Sequence, residues 1–177
     1  YINEYRKFAE EQSGENCQSG NSQAREDADM WSFKKQVFID RRVGEVHQFA
    51  TNPKHWYQWY AGVSEADNLK GKGGKGTRMD LMYFFFGRSM ELHILVVENA
   101  EMENGYVWRC LISGAFDGNQ TWRYVPMEQG TEVQFEMDYD LPGNIFGKVA
   151  NTLYIKKLMN NSMEQTLQNL KDISESE

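Results

Sequence analysis

The sequence predicts an α+β fold in which an antiparallel sheet with one apolar face is covered by a single long C-terminal helix. Two patterns indicate this fold. Between residues 78 and 141, apolar and polar residues alternate in segments separated by turn residues, which is typical of strands with one buried face. From residue 144 to about residue 174, apolar residues recur at roughly helical spacing without a proline.

The first 29 residues differ in composition from the rest of the chain. They are mostly polar, as in "EEQSGENCQSGNSQ", with Ile2, Tyr5 and Phe8 at helical spacing. A short helix plus a flexible leader is expected there. The chain has 177 residues, enough for one hydrophobic core. We therefore expect a leader over residues 1–29 and one folded domain over residues 30–177.

A strand and two short helices are predicted at the start of the domain. In "MWSFKKQVFID" the apolar residues have one parity, which predicts a strand with one buried face. "VGEVHQFA" then has helical spacing, and Pro53 interrupts it. The aromatic stretch "NPKHWYQWYAGV" over residues 52–63 follows the break. We interpret it as a gate or lid over a hydrophobic pocket, with Trp56 and Trp59 as anchors and with His55, Tyr57 and Tyr60 as apt to face water as to face inward.

Six strands and the long helix complete the predicted order of elements. The clearest strand is "TEVQFEMDYDL", in which Val133, Phe135 and Met137 share one face and Glu132, Gln134 and Glu136 share the other. Short turns such as "MENG" and "MEQG" favour antiparallel hairpins. The helical pattern after "LPG" contains these apolar residues: Phe146, Ala150, Leu153, Leu158, Met163, Leu167, Leu170 and Ile173.

Composition limits the classes of partner. A formal net charge of -7 argues against nucleic acid or an anionic membrane as the main partner. Weak contact of Lys70, Lys72 and Lys75 with anionic headgroups stays a minor hypothesis. No apolar run approaches the roughly 20 residues of a membrane span. We expect a soluble, cytoplasmic protein, although the chain starts at Tyr1 without a methionine, which leaves an upstream signal or anchor open.

No cofactor or metal is predicted, and no catalytic residue is assigned. The histidines His47, His55 and His93 are scattered, without a Cys/His/Asp cluster at metal-ligand spacing. The segment "GKGGKGT" lacks the Gly-Lys-Ser/Thr ending of a phosphate-binding loop, so a flexible hairpin turn is expected. Cys17 and Cys110 are expected to be free thiols, the second a small core residue.

The sequence resembles the SRPBCC or START-like superfamily, specifically its polyketide cyclase/dehydrase branch with the helix-grip fold. "VFIDRRVGEVHQFATNP" is similar to the opening of that family, and Trp59 lies where the family usually has a tryptophan. "GKGTRMDLMYFFFGRSMELHILVVE" and "TWRYVPMEQGTEVQFEMDYDLPG" resemble its later hairpins. The resemblance implies a curved seven-stranded antiparallel sheet around the long helix, enclosing a hydrophobic cavity. Members bind or carry lipids, sterols, quinones or polyketides, and some catalyse cyclisation or dehydration.

Strand parity favours binding over catalysis. The charged residues of the predicted strands, such as Asp80, His93 and Arg109, fall opposite the apolar face, so they would not reach a bound substrate. Plain core packing competes with ligand contact at each aromatic position. Tyr83, Trp122, Tyr124 and Tyr139 are favoured because a buried polar group needs a partner. The residues predicted to bind ligand are Trp56, Trp59, Tyr83, Trp108, Trp122, Tyr124, Phe135, Met137, Tyr139, Phe146 and Leu153.

Three functional hypotheses follow. The leading one is binding or transport of a small hydrophobic molecule, such as a lipid, quinone, sterol or polyketide. The second is a cyclase or dehydratase that uses Tyr83, Tyr124 or Tyr139 to polarise a carbonyl group. The third is a protein-interaction domain similar to the Hsp90-cochaperone relatives of this fold. The oligomeric state is left open.

Overall fold

The computed structural model describes residues 31–140 and 152–176. Strand β1 (Trp31–Ile39) leads into helix α1 (Val43–Ala50), a 3-10 turn (Pro53–His55) and the short helix α2 (Trp56–Trp59). Six further strands follow: β2 (Asp67–Lys70), β3 (Arg78–Phe85), β4 (Arg88–Met102), β5 (Gly105–Gly114), β6 (Asp117–Met127) and β7 (Gly130–Asp140). Helix α3 (Thr152–Ser176) ends the described chain.

The seven strands form one antiparallel sheet in the order β1-β7-β6-β5-β4-β3-β2. From β2 to β7, each strand pairs with the next strand in the sequence, and β1 pairs with the free edge of β7. This confirms the predicted α+β class, the seven strands and the short helices after β1. The four-residue strand β2 was not identified as a segment in the sequence, because "DNLK" is polar and too short to show alternation.

The inner face of the sheet is apolar, as the alternation predicted. In β7, Val133, Phe135, Met137 and Tyr139 are all buried, and the residues between them are partly exposed. The charged residues lie on the outer face, where Glu136 pairs with Arg123 and Asp80 with His93. The expected separation of charged groups from the interior is therefore confirmed in this part of the chain.

Helix α3 packs one face against this apolar surface. Ile155, Met159 and Met163 are buried and lie four residues apart, so they form one stripe along the helix. Leu153 is 74% exposed. The expected inward orientation of Leu153 is wrong. Leu153 lies six positions before Met159, which places it about 120° around the helix from that residue.

The predicted leader over residues 1–29 and the "LPG" corner lie outside the described residues, as does the expected helix start at residue 144. In the two described ranges, no helix is long and apolar enough to cross a bilayer.

The "GKGGKG" loop is anchored at one glycine. Gly73 is buried, and its N–H donates to Thr77 Oγ1 over 3.0 Å. Its carbonyl oxygen accepts hydrogen bonds from Asn99 Nδ2 and Trp108 Nε1, both at 3.0 Å. The expected hairpin turn connects β2 to β3, and Gly73 within it is held by three hydrogen bonds. Lys70, Lys72 and Lys75 are exposed on either side of Gly73.

Candidate functional site

The aromatic stretch over residues 52–63 forms one wall of the interior. Pro53 begins the 3-10 turn, and α2 then turns Trp56, Trp59 and Tyr60 inward at helical spacing. Trp56 is fixed by a 2.9 Å hydrogen bond from its indole N–H to the Ala50 carbonyl oxygen. Tyr57 remains 44% exposed. Of the two tyrosines whose orientation the sequence left open, Tyr60 therefore faces the interior and Tyr57 faces solvent.

A small cavity of about 20 Å³ lies between this wall, the sheet and α3. We call it the central cavity. Roughly 10–15 Å³ on this measure holds one water molecule, so the side chains fill most of the interior. The lining is largely apolar and includes three methionines, which have flexible unbranched side chains. The described lining residues are Trp56, Tyr60, Val63, Leu81, Tyr83, Leu92, Ile94, Ile112, Phe116, Gln120, Met137, Met159 and Met163.

Three polar side chains reach the central cavity, and two of them, Gln120 and Tyr60, are hydrogen-bonded to each other. Gln120 Nε2 donates to the Tyr60 hydroxyl oxygen over 2.6 Å, and Gln120 Oε1 accepts from Trp122 Nε1 over 3.3 Å. The hydroxyl groups of both tyrosines point at thioethers: Tyr60 at Met163 Sδ and Tyr83 at Met159 Sδ, each at 3.6 Å. Tyr83 also lies 3.4 Å from Ser162 Oγ.

Burial keeps these groups in their neutral forms. Burial, with the neighbouring Tyr83 adding a smaller effect, raises the pKa of Tyr60 well above its usual value. Burial also raises the pKa of Tyr83, against a small opposing effect of Ser162. Both hydroxyl groups are therefore protonated hydrogen-bond donors at neutral pH. Burial raises the pKa of the free Cys110 thiol in the same way, which fits a core residue rather than a nucleophile.

The predicted ligand-binding residues divide into three groups. Trp56, Tyr83 and Met137 line the central cavity. Phe146 lies outside the described residues, and Leu153 faces away from the cavity. The others are buried in the surrounding core but do not belong to the described lining: Trp59, Trp108, Trp122, Tyr124, Phe135 and Tyr139.

The indole groups of this core find partners within the protein in three cases. Trp56 and Trp108 donate to backbone carbonyl oxygens, and Trp122 donates to Gln120. The need for a partner, which favoured Trp122 as a ligand contact, is thus met by a side chain.

Sequence reasoning left several lining residues out of the predicted site. Met159 was missed because Leu153 and Leu158 were taken as the inner positions of the first helical turns. Met159, Met163 and Leu167 follow one another at intervals of four residues, and this helical spacing could have identified Met159 as an inner position. Phe116 lies in the turn between β5 and β6, where alternation gives no information.

A second polar cluster lies outside the central cavity and ties α1 to the sheet. His47 Nε2 donates to Asn99 Oδ1 over 2.9 Å, and the imidazole stacks on Tyr106 at 4.3 Å between centroids. Asn99 in turn holds the Gly73 carbonyl. Partial burial lowers the pKa of His47, and the hydrogen bond to Asn99 opposes this shift. Among residues 31–140 and 152–176, no group of His, Cys, Asp or Glu could hold a metal ion.

Comparisons with known proteins agree with this architecture. A sequence model of the family "Polyketide cyclase / dehydrase and lipid transport" matches residues 30–175. A comparison with curated proteins found no significant match.

Three solved structures share the fold at low sequence identity. TTHA0849 from Thermus thermophilus is 22% identical with a TM-score of 0.67, covering 81% of this chain and 97% of its own. A START superfamily protein from Mycobacterium smegmatis is 16% identical with a TM-score of 0.67, covering 82% and 97%.

The third is the ZhuI aromatase/cyclase from Streptomyces sp. R1128. It is 10% identical with a TM-score of 0.66, covering 82% of this chain and 94% of its own. Together with the seven-stranded sheet around α3, the match over residues 30–175 shows that the chain belongs to the polyketide cyclase/dehydrase and lipid transport family and has a START-like fold.

Proposed function

We propose that the protein binds a small, uncharged hydrophobic molecule in the central cavity. The observation that carries the proposal is the chemistry of the lining. Ten of the thirteen described lining residues have hydrocarbon, thioether or indole side chains, and the other three are Tyr60, Tyr83 and Gln120. None of the thirteen is charged. An apolar pocket with a few oriented polar groups is the usual form of a site for a hydrophobic ligand.

Binding requires the lining to move. A cavity of about 20 Å³ is smaller than an organic ligand, so side chains must be displaced to admit one. Met137, Met159 and Met163 line the cavity, and their unbranched thioethers adopt new rotamers at lower cost than branched side chains. We therefore expect an adaptable site, in which the methionine side chains rearrange around the ligand.

NMR of protein labelled with 13C at the methionine methyl groups tests this proposal. Titration with indane, a small apolar bicyclic probe, should shift the methyl signals of Met137, Met159 and Met163. Met127 is 50% exposed on the far end of β6 and serves as the internal control. Unchanged signals of the three lining methionines at saturating indane would refute the proposal. Equal shifts at Met127 would indicate nonspecific contact and refute it as well.

Cyclisation or dehydration is the second candidate. The Tyr60 hydroxyl, held by Gln120, is placed to donate a hydrogen bond to a carbonyl oxygen in the cavity. Acid–base catalysis is less well supported, because the described lining contains no carboxylate or imidazole and burial raises the pKa of both tyrosines. Turnover of a poly-β-ketone substrate that is lost in Tyr60→Phe would favour this candidate.

We also propose that residues 30–177 bind the ligand without the leader. The family match over residues 30–175 supports this boundary. Deletion of residues 1–29 should leave the indane-induced shifts unchanged. A loss of those shifts in a folded deletion variant would contradict the boundary.

A further inference from the structure

The hydrogen bonds around the central cavity indicate which polar group a ligand should carry. The orientation of the Gln120 amide is defined by Trp122, because an indole N–H can only donate and must therefore face Oε1. Gln120 Nε2 then faces the Tyr60 oxygen, which accepts its hydrogen bond over 2.6 Å. The Tyr60 hydrogen must point elsewhere.

The remaining acceptor for Tyr60 is a weak one. Met163 Sδ lies 3.6 Å from the Tyr60 hydroxyl oxygen, and a thioether sulfur accepts hydrogen bonds poorly. The Tyr83 hydroxyl oxygen also has a thioether sulfur nearby, Met159 Sδ at 3.6 Å, and Ser162 Oγ lies 3.4 Å from it. The second distance exceeds the usual range of about 2.5–3.0 Å for an O–H···O bond. Both hydroxyl groups thus have hydrogens without a good acceptor.

Tyr60 follows α2 and Tyr83 lies on β3, but the hydroxyl groups of both point toward α3. Their sulfur neighbours, Met159 and Met163, are one turn apart on α3 and line the cavity together. Displacing the methionines, as binding requires, exposes both O–H groups to the ligand. A ligand oxygen that can accept would satisfy a buried donor, whereas a ligand that adds another donor would compete for the same few acceptors.

We propose that the central cavity selects uncharged hydrophobic ligands that carry a hydrogen-bond acceptor, such as a ketone or quinone oxygen, over ligands of the same shape that lack one or carry a donor instead. Tyr60 and Tyr83 are the residues that determine this specificity. The inference rests on the proposed function, since it concerns the ligand of the same site.

Three bicyclic probes of similar shape test this selectivity: 1-indanone with an acceptor, indole with a donor, and indane with neither. Dissociation constants are measured by methionine-methyl NMR for the wild type, Tyr60→Phe, Tyr83→Phe and Tyr57→Phe. Tyr57 lies on the same short helix, but it is exposed and does not belong to the described lining, so it provides the matched loss of a hydroxyl group.

The quantity compared is the preference for 1-indanone, defined as the dissociation constant of indane divided by that of 1-indanone. It should fall about 3- to 10-fold in Tyr60→Phe, Tyr83→Phe or both, as expected for the loss of one hydrogen bond. It should stay unchanged in Tyr57→Phe. Because both ligands are measured on the same variant, a general effect of the substitution on the pocket cancels, and retained indane binding shows that the variant is folded.

Different failures have different meanings. If indane and 1-indanone bind but the preference changes in neither Tyr60→Phe nor Tyr83→Phe, the selectivity is refuted and the proposed function stands. It is also refuted if indole, which can only donate, binds the wild type as tightly as 1-indanone. If none of the three probes binds the wild type, the proposed function fails and the selectivity fails with it.

Discussion

Replacing Gly73 with alanine should destabilise the protein strongly, although the change adds a single methyl group. Gly73 has a φ of +95°, a conformation that L-amino acids with a Cβ rarely adopt. An added Cβ would lie 2.0 Å from the Thr51 carbonyl oxygen, so the loop backbone must shift. That shift would disturb the hydrogen bonds from Asn99 and Trp108 to the Gly73 carbonyl.

The magnitude follows from these contributions. The left-handed conformation costs about 1–2 kcal/mol with a Cβ. Each of the three hydrogen bonds at Gly73 contributes about 0.5–1.5 kcal/mol, and a shifted backbone weakens rather than removes them. We therefore expect a loss of about 2–4 kcal/mol in the free energy of unfolding.

Urea unfolding followed by tryptophan fluorescence measures this loss, and Gly74→Ala is the control. Gly74 is the next residue in the same loop, and an added Cβ there meets no atom within 4 Å. Its replacement should change stability by no more than about 0.5–1 kcal/mol. Similar unfolding midpoints for the two variants would refute the view that the loop is anchored through Gly73.

Three further predictions concern pH, the helix and the cavity. Because burial lowers the pKa of His47, the unfolded state binds more protons, so the stability of the wild type should fall as the pH is lowered through about 6.5. Between about pH 7.5 and 5.5, the urea midpoint of His47→Gln should fall less than that of the wild type. An equal fall in the two proteins would contradict this prediction. Leu170→Ala, at a fully buried position, should lower the free energy of unfolding in urea by about 2–5 kcal/mol, whereas Leu153→Ala, at an exposed position, should lower it by less than about 1 kcal/mol. Equal losses in the two variants would contradict the outward orientation of Leu153. Met163→Ala should enlarge the central cavity, so that saturating indane raises the melting temperature more in this variant than in the wild type; a smaller rise would argue against ligand binding beside α3.

Much of the fold was predictable because strand alternation is a local property. Val133, Phe135 and Met137 are placed inward by the two-residue repeat alone, whatever the rest of the chain does. Long, strongly patterned segments such as β7 and the second half of α3 were therefore predicted correctly. The number of strands was predicted, but the position of β2 was not, because its four residues pair with β3 through backbone hydrogen bonds and leave no apolar pattern.

The site was predictable only in part. Of the residues predicted to contact a ligand, Trp56, Tyr83 and Met137 line the central cavity, whereas Trp59 and Trp122 share their apolar, inward character yet pack against one another, with ring centroids 5.5 Å apart. Parity separates inward from outward positions. It does not tell an inward residue that borders a cavity from one that fills the core.

The sequence by itself determined the class of fold, the polarity of each sheet face and the apolar character of the interior, because these follow from repeats of about two and 3.6 residues along the chain. Tertiary structure alone decided that the Tyr60 hydroxyl meets Gln120 across 60 residues of sequence, that Met159 rather than Leu153 faces the sheet, and that Gly73 is held by Asn99 and Trp108. Such contacts depend on how far the sheet curves and how deeply α3 packs into it, and these distances arise from close packing of the whole domain rather than from any local pattern.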